Sequence, residues 1–331
     1  MTEVVAPHGS PLGIAVLGVE RFETSREFYC DLIGFDAGKL EAWAGPDFES
    51  LWHLPAGSRA RACLLTASGS AVGRILLVEF QAAHRKHVRG SMDSRAYGLV
   101  NLNFYTRDIR AAARSFAALG YELWSEPTQY DLAAAVGKPI EVVFEGPDGV
   151  AVNLVELAST DPGTRIGQMR AFVERHGYTR AGFTPVVTTS HVCRSIAKAR
   201  AFYEQALRMG VLIDDEFNSP AVNAFLRLKP GSRTHITFMQ GNHMFGKIAL
   251  SEPLNYACGD LTPLAVAPNI GYLAQAFEVS DLARAIAGAA GTQAPIELEP
   301  RAMELPGLGR RSVAVVRNPG SGALQWLVES G

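Results

Sequence analysis

No apolar stretch of this sequence approaches the ~20 consecutive residues that a membrane-spanning helix requires. The opening MTEVVAPHGS has neither the basic lead nor the apolar centre of a secretion signal, so neither a span nor a leader is expected. Cysteine is scarce: Cys30, Cys63, Cys193 and Cys258 stand far apart with no CxxC pair, which gives no sign of a disulfide framework. An excess of one charge is missing too. There are 31 Lys and Arg against 33 Asp and Glu, a net charge of -2, and no long basic block. Nucleic acid and anionic membranes are therefore not expected as partners. What is present is an ordinary globular composition, 47% hydrophobic and 19% charged in 331 residues, a length for about two domains. A cytoplasmic protein is the expectation.

The chain repeats itself. Residues 26–35 read REFYCDLIGF and residues 200–209 read RAFYEQALRM. At the same spacing LPAGSR (54–59) meets LKPGSR (228–233), and one residue out of step GRILL (73–77) meets GKIAL (246–250). Further on, TRDIRAAA from Thr106 meets VSDLARAI from Val279, which sets Asp108 on Asp281, and NLVE (153–156) meets WLVE (326–329). A repeat of this kind is the signature of duplication.

Each half divides again. GIAVLGV (13–19) has the length and β-branching of a strand, and residues 23–32 carry apolar side chains at helical spacing. Strand-length runs follow, broken by Pro55-Ala56-Gly57-Ser58. Residues 99–105 start a strand again and 108–119 a helix. The expected modules are 12–80 and 97–158 in an N-terminal domain (12–158), and 183–250 and 270–330 in a C-terminal one (183–330). The connection, 159–182, has Ile166, Met169, Phe172 and Val173 at helical spacing, as in an amphipathic helix. Segments 82–97 and 243–269 are too long for turns and are expected to act as covers.

These features carry a resemblance. The odd modules open as VERFETSREFYCDLIGF and CRSIAKARAFYEQALRM, and the even ones close as GPDGVAVNLVEL and NPGSGALQWLVES. Over about nine tenths of its length the chain resembles the vicinal oxygen chelate superfamily of glyoxalases, bleomycin-resistance proteins and ring-cleaving dioxygenases. The resemblance implies an α+β fold of four βαβββ modules, forming two curled mixed sheets with helices on their convex faces and a small-molecule pocket on each concave one. It also implies metal-ligand positions on first and last strands. These fall on Ile14, Asn101, Cys63 and Asn153 in the N-terminal half, and on Thr188, Ala274, Thr237 and Trp326 in the C-terminal half. None is a histidine or a carboxylate, the donors such a site uses. No cofactor is therefore expected, a divalent metal at an atypical site being the alternative.

With each half taken to form its own pocket, strand alternation puts His235 beside Thr237 inside the C-terminal one, with Glu278 at its far end. An imidazole near a carboxylate in a dry cleft can act as acid or base at neutral pH. His235 and Glu278 are accordingly the catalytic candidates. Thr188, Ser190, Thr237, Tyr272 and Trp326 are the expected substrate contacts there. Arg61, Asn101 and Asn153 are expected in the N-terminal pocket, as ligand contacts or as an internal polar network. His191 reads as a satisfied core or edge histidine, and His243 opens the long second connector, where a lid role is one option the sequence leaves open. Three readings stay open: a metal-independent lyase or isomerase acting on a small oxygenated or aromatic metabolite, a metal-dependent dioxygenase or glyoxalase-like enzyme with atypical ligands, and a metal-free protein that binds or sequesters a small molecule. A homodimer is the oligomer this reading admits.

Overall fold

The computed structural model describes residues 8–67, 69–90, 95–132 and 135–331. Strand β1 (Ile14–Gly18) leads into α1 (Phe22–Arg26), which widens into a π-helical turn over Glu27–Leu32. The first module continues with β2 (Asp36–Ala37), β3 (Glu41–Ala44), α2 (Pro46–Trp52), β4 (Arg59–Thr66) and β5 (Arg74–Phe80). The second holds β6 (Ala96–Thr106), α3 (Ile109–Ala118), β7 (Thr128–Gln129), β8 (Ile140–Glu145) and β9 (Ala151–Glu156). Helix α4 (Arg165–His176) links it to β10 (Thr188–Val192), α5 (Ile196–Gln205), β11 (Gly210–Phe217), α6 (Pro220–Phe225), β12 (Thr234–Gln240) and β13 (Lys247–Pro253). After β14 (Gly259–Asp260), the last module is β15 (Gly271–Val279), α7 (Leu282–Gly291), β16 (Ile296–Leu305), β17 (Gly309–Arg317) and β18 (Leu324–Glu329).

Repeated sequence gives repeated local structure. Asp108 and Asp281 cap α3 and α7, each side chain accepting the backbone N–H three residues on. Thr164, Ser195 and Ser219 do the same for α4, α5 and α6. Such caps satisfy amides that the first helical turn leaves free, each contributing roughly 1 kcal/mol.

The architecture is α+β with two curled mixed sheets. The first runs β16-β17-β18-β15-β1-β5-β4-β2, with β3 also on β4; the second runs β11-β12-β13-β10-β6-β9-β8-β7, with β14 on β6. The modules are thus shared out differently from the expectation that each half closes its own sheet. Module one joins module four where β1 pairs antiparallel with β15, and module two joins module three where β10 pairs antiparallel with β6. The four first strands hold the same place in their modules, so module order alone does not say which will pair.

One core serves both sheets. It unites Leu17 and Phe277 of the first sheet, Leu102 and Phe104 of the second, Phe28 and Phe116 from the helices of the N-terminal half, and Phe202 from α5. Within it His191 is wholly buried between Ser321 Oγ (3.0 Å), Gln275 Oε1 (2.9 Å) and the Tyr203 hydroxyl (3.2 Å). The histidine is a satisfied core residue. Helix α4 buries Ile166, Met169 and Val173 against Tyr105 and Val155 from one half and Val187 and Phe245 from the other. His243 sits at its edge, its ring 5.5 Å from Phe172, and Nδ1 accepts the Phe245 amide. Of the two long connectors, the second starts later than read, because Lys247–Pro253 is β13. Both reach the concave face of the first sheet, where Val88, Leu261 and Ala265 pack, and the second also pairs β14 with β6 of the second sheet.

Candidate functional site

The duplication allows the two concave faces to be compared position by position. Across the first sheet the register reads Val315, Trp326, Ala276, Ile14 and Arg74. Across the second, the corresponding row reads Val143, Asn153, Asn103, Thr188 and Lys247. Two strand positions further along, Val313 in one face answers Glu141 in the other. Where one cup has Trp, Ala and Ile, the other has Asn, Asn and Thr.

The first cup is full. Trp43, Phe48 and Trp52 from β3 and α2 plug it, with the Trp52 and Trp326 rings 5.0 Å apart. The second cup encloses two small adjoining cavities of about 60 and 50 Å³. Asn103, Tyr130, Glu141 and Phe238 line both. Helix α6 and the segment around Trp124 and Tyr130 form its roof, with the Tyr130 and Phe225 rings stacked at 5.7 Å. Ile166 and Met169 of α4 close the far end.

Inside, Glu141 is fixed from two sides. The Tyr130 hydroxyl donates to its Oε1 at 2.7 Å and the Asn153 amide to its Oε2 at 2.6 Å. Burial pushes the Glu141 carboxyl above the usual carboxylate range, against the opposing pull of these two bonds. Burial likewise pulls the Lys247 ammonium down to about 7. That side chain is 2% exposed; its Nζ donates to the Met244 carbonyl and lies 5.6 Å from the Tyr105 ring centroid. The Oδ1 atoms of Asn103 and Asn153 and the Nε of Arg95 are buried with no partner among the described residues. Unmet polar atoms in a cavity wall are what a polar ligand or water would satisfy.

Of the residues singled out in the sequence, Thr188, Ser190, Asn101 and Asn153 meet in this cup. The others do not. Thr237 and His235 lie on the opposite face of β12, turned to α5, where both bond Asp214, at 2.9 Å and 2.6 Å. Ile236 and Phe238 line the cavity instead. Both faces of β12 carry large apolar residues, Phe238 on one and Met239 on the other, so alternation does not mark the inner side. Glu278 does face a cup, but that of the first sheet, where it pairs with Arg74; the proposed His235 and Glu278 couple is therefore split between two sheets. Trp326 belongs to the filled cup. A β-bulge opposite Val16 and Leu17 turns Tyr272 into the core between the sheets, where it bonds Thr189 at 3.0 Å. Arg61 is on the first sheet, away from the asparagines, in an ion pair with Glu79 and 3.4 Å from Glu23.

Sequence reading missed Glu141, Lys247 and Tyr130. A signal for two of them was present. Lys247 stands in GKIAL where Arg74 stands in GRILL, and Glu141 interrupts the apolar run IEVVF.

The metal of the oxygen-chelate enzymes does not fit these residues. The row offers two amides, a hydroxyl and an amine, and Glu141, the one carboxylate among the described lining residues, already accepts two hydrogen bonds. Among the described residues no group of three or more His, Cys, Asp or Glu converges.

Residues 12–154 match the model of the Glyoxalase/Bleomycin resistance protein/Dioxygenase superfamily. Among solved structures the chain is similar to glyoxalase I from Zea mays, with a TM-score of 0.60 at 16% identity over 97% of this chain and 92% of that one. It is also similar to a putative dioxygenase from Bacillus subtilis, with a TM-score of 0.58 at 9% identity over 97% of this chain and 86% of that one. No curated protein matches the sequence. The sequence match to that superfamily thus covers the N-terminal segment, and along its whole length the chain shares the fold of these solved structures. No described helix is long and apolar enough to cross a membrane.

Proposed function

We propose that the cup of the second sheet binds a small oxygenated metabolite with an apolar or aromatic body, and that the protein is a metal-independent enzyme of the lyase or isomerase type. The observation that carries this is Glu141: a carboxyl inside an apolar-walled cavity, held by Tyr130 and Asn153, with its proton affinity raised by burial. A carboxylate so placed takes a proton from carbon or oxygen more readily than an exposed one, since its conjugate acid is favoured. Asn101, Asn103, Ser190 and Thr188 supply amide and hydroxyl groups for the ligand's oxygens, and Phe217, Phe225 and Phe238 supply the apolar wall. This reading moves the catalytic role from His235 and Glu278 to Glu141.

The test is solvent exchange. Small 2-hydroxy, 2-oxo and aryl carbonyl compounds are incubated with the full chain in D2O, with a chelator present, and their C–H signals followed by NMR. A compound that binds is expected to exchange a proton adjacent to its carbonyl or hydroxyl. Glu141→Gln is expected to slow that exchange by about 10²- to 10⁴-fold, the usual contribution of a positioned base, while binding survives. Compounds that bind without any exchange or turnover would instead make this a sequestering protein.

A further inference from the structure

The filled cup shows what the polar cup lacks. In the first sheet the buried cation of the row is Arg74, and its counter-ion is Glu278 on β15. The duplication carries Arg74 onto Lys247 and Glu278 onto Tyr105, since Thr106 stands where Val279 does. The structure keeps both equivalences: Ile14 is the register partner of Arg74 and Ala276, as Thr188 is of Lys247 and Asn103. One copy therefore has a cation and its carboxylate, and the other has a cation facing a phenol ring. Among the described residues Lys247 has no ion-pair partner, and its amine rests on a carbonyl oxygen and the Tyr105 ring. It nevertheless lines the cavity, beside Thr188 and Asn103.

We infer that the ligand of this cup carries a carboxylate and that Lys247 is its binding partner, the ligand supplying the anion that Glu278 supplies in the other cup. Buried charges are paired in folded proteins, because an ion moved out of water without a partner is strongly disfavoured. Among the described residues no carboxylate pairs with the amine, Glu141 on the same cavity being held by Tyr130 and Asn153, and the amine borders that cavity. The lowered proton affinity of Lys247 has the same origin, burial without a neighbouring anion. The Thr188 hydroxyl and the Asn103 amide lie along the same row, so a carboxylate there has neutral donors beside the cation. The inference rests on the cup being the ligand site and narrows its ligand class.

Benzoate and acetate, each against its amide, test it on the full chain by calorimetry and by thermal melting. The acids are expected to bind and raise the melting temperature, and the amides to bind at least tenfold more weakly. Lys247→Met is expected to abolish that preference without unfolding the protein, because it removes a buried charge and keeps the side-chain length. Tyr105→Glu should do the same by restoring an internal counter-ion. Arg74→Met, in the filled cup, should leave the preference intact. Equal binding of acid and amide, an acid preference that survives Lys247→Met, or no binding of either acid at millimolar concentration overturns the inference. If Asn153→Leu and Phe238→Ala weaken acid and amide alike while Lys247→Met weakens neither, the cup stands as the site and only the carboxylate falls. If no cup variant alters binding, both fall.

Discussion

At the scale of single residues, His191 is a buried base whose surroundings give it a structural part. His191 is wholly enclosed but fully satisfied, with Ser321 on one ring nitrogen and Gln275 and Tyr203 on the other. Burial depresses its proton affinity from 6.5 to about 4, so the folded protein holds it neutral while the unfolded chain protonates it. Below pH 6.5 the unfolded state therefore binds more protons than the folded one. Stability is complete above that pH, falls as the solution is acidified, and stops changing on this account below about pH 4. The shift corresponds to a loss on the order of 3 kcal/mol. His191→Gln keeps polar atoms in the network but cannot titrate. It is expected to cost roughly 1–3 kcal/mol at pH 8 through imperfect hydrogen bonding, and to lose less than the parent on acidification. Urea unfolding at several pH values between 4 and 8 reads this directly. Parallel stability curves for the two proteins would show that the histidine is not the titrating group.

At the scale of elements, the roof of the polar cup controls access. Cavities of about 60 and 50 Å³ hold a few waters, whereas a typical small-molecule site spans about 300–1,000 Å³. A benzoate-sized ligand thus requires an element to move. The short helix α6 is the candidate, because it touches the cup through Val222 and Phe225 and its main anchor is the stack of Phe225 on Tyr130. Phe225→Ala is expected to destabilise the protein by about 2–4 kcal/mol, the cost of truncating a buried aromatic at a surface element. It should also raise the association rate of a bound acid at least tenfold in stopped-flow fluorescence. An unchanged rate would place the gate elsewhere. Elements also mark the limit of what the sequence discloses. Asp108, Asp281 and the helices they cap are legible from capping chemistry, as is the α4 linker from its apolar spacing. The inner face of β12 is not, since apolar residues lie on both sides and a slip of one residue exchanges His235 for Ile236. Asn101, Asn153 and Thr188 escape that ambiguity because the ligand positions implied by the family resemblance fall on them.

At the scale of the whole molecule, the two halves of the sequence are not the two halves of the structure. Strand β1 finds its antiparallel neighbour in β15 and β6 finds its own in β10, so every sheet is closed by both halves. The amide rows that pair at these seams, and the apolar residues of the shared core, become exposed when the halves are parted. The duplication fits this arrangement: the four first strands hold equivalent places in their modules, and they pair as β1 with β15 and β6 with β10. It also explains why one cup could be filled with tryptophan while the other stayed polar, since each cup draws on an early and a late copy that diverged separately. Cutting the chain within 159–182 tests this. Fragment 1–158 alone is expected to lack cooperative thermal unfolding and to self-associate through its unpaired strands, and fragment 159–331 likewise. Mixed from denaturant in equal amounts, the two are expected to recover a single 1:1 species with cooperative melting and with the acid binding of the intact chain. If fragment 1–158 instead folds as a stable monomer, β1 and β6 can close on each other, and the interleaved pairing is not what holds the molecule together.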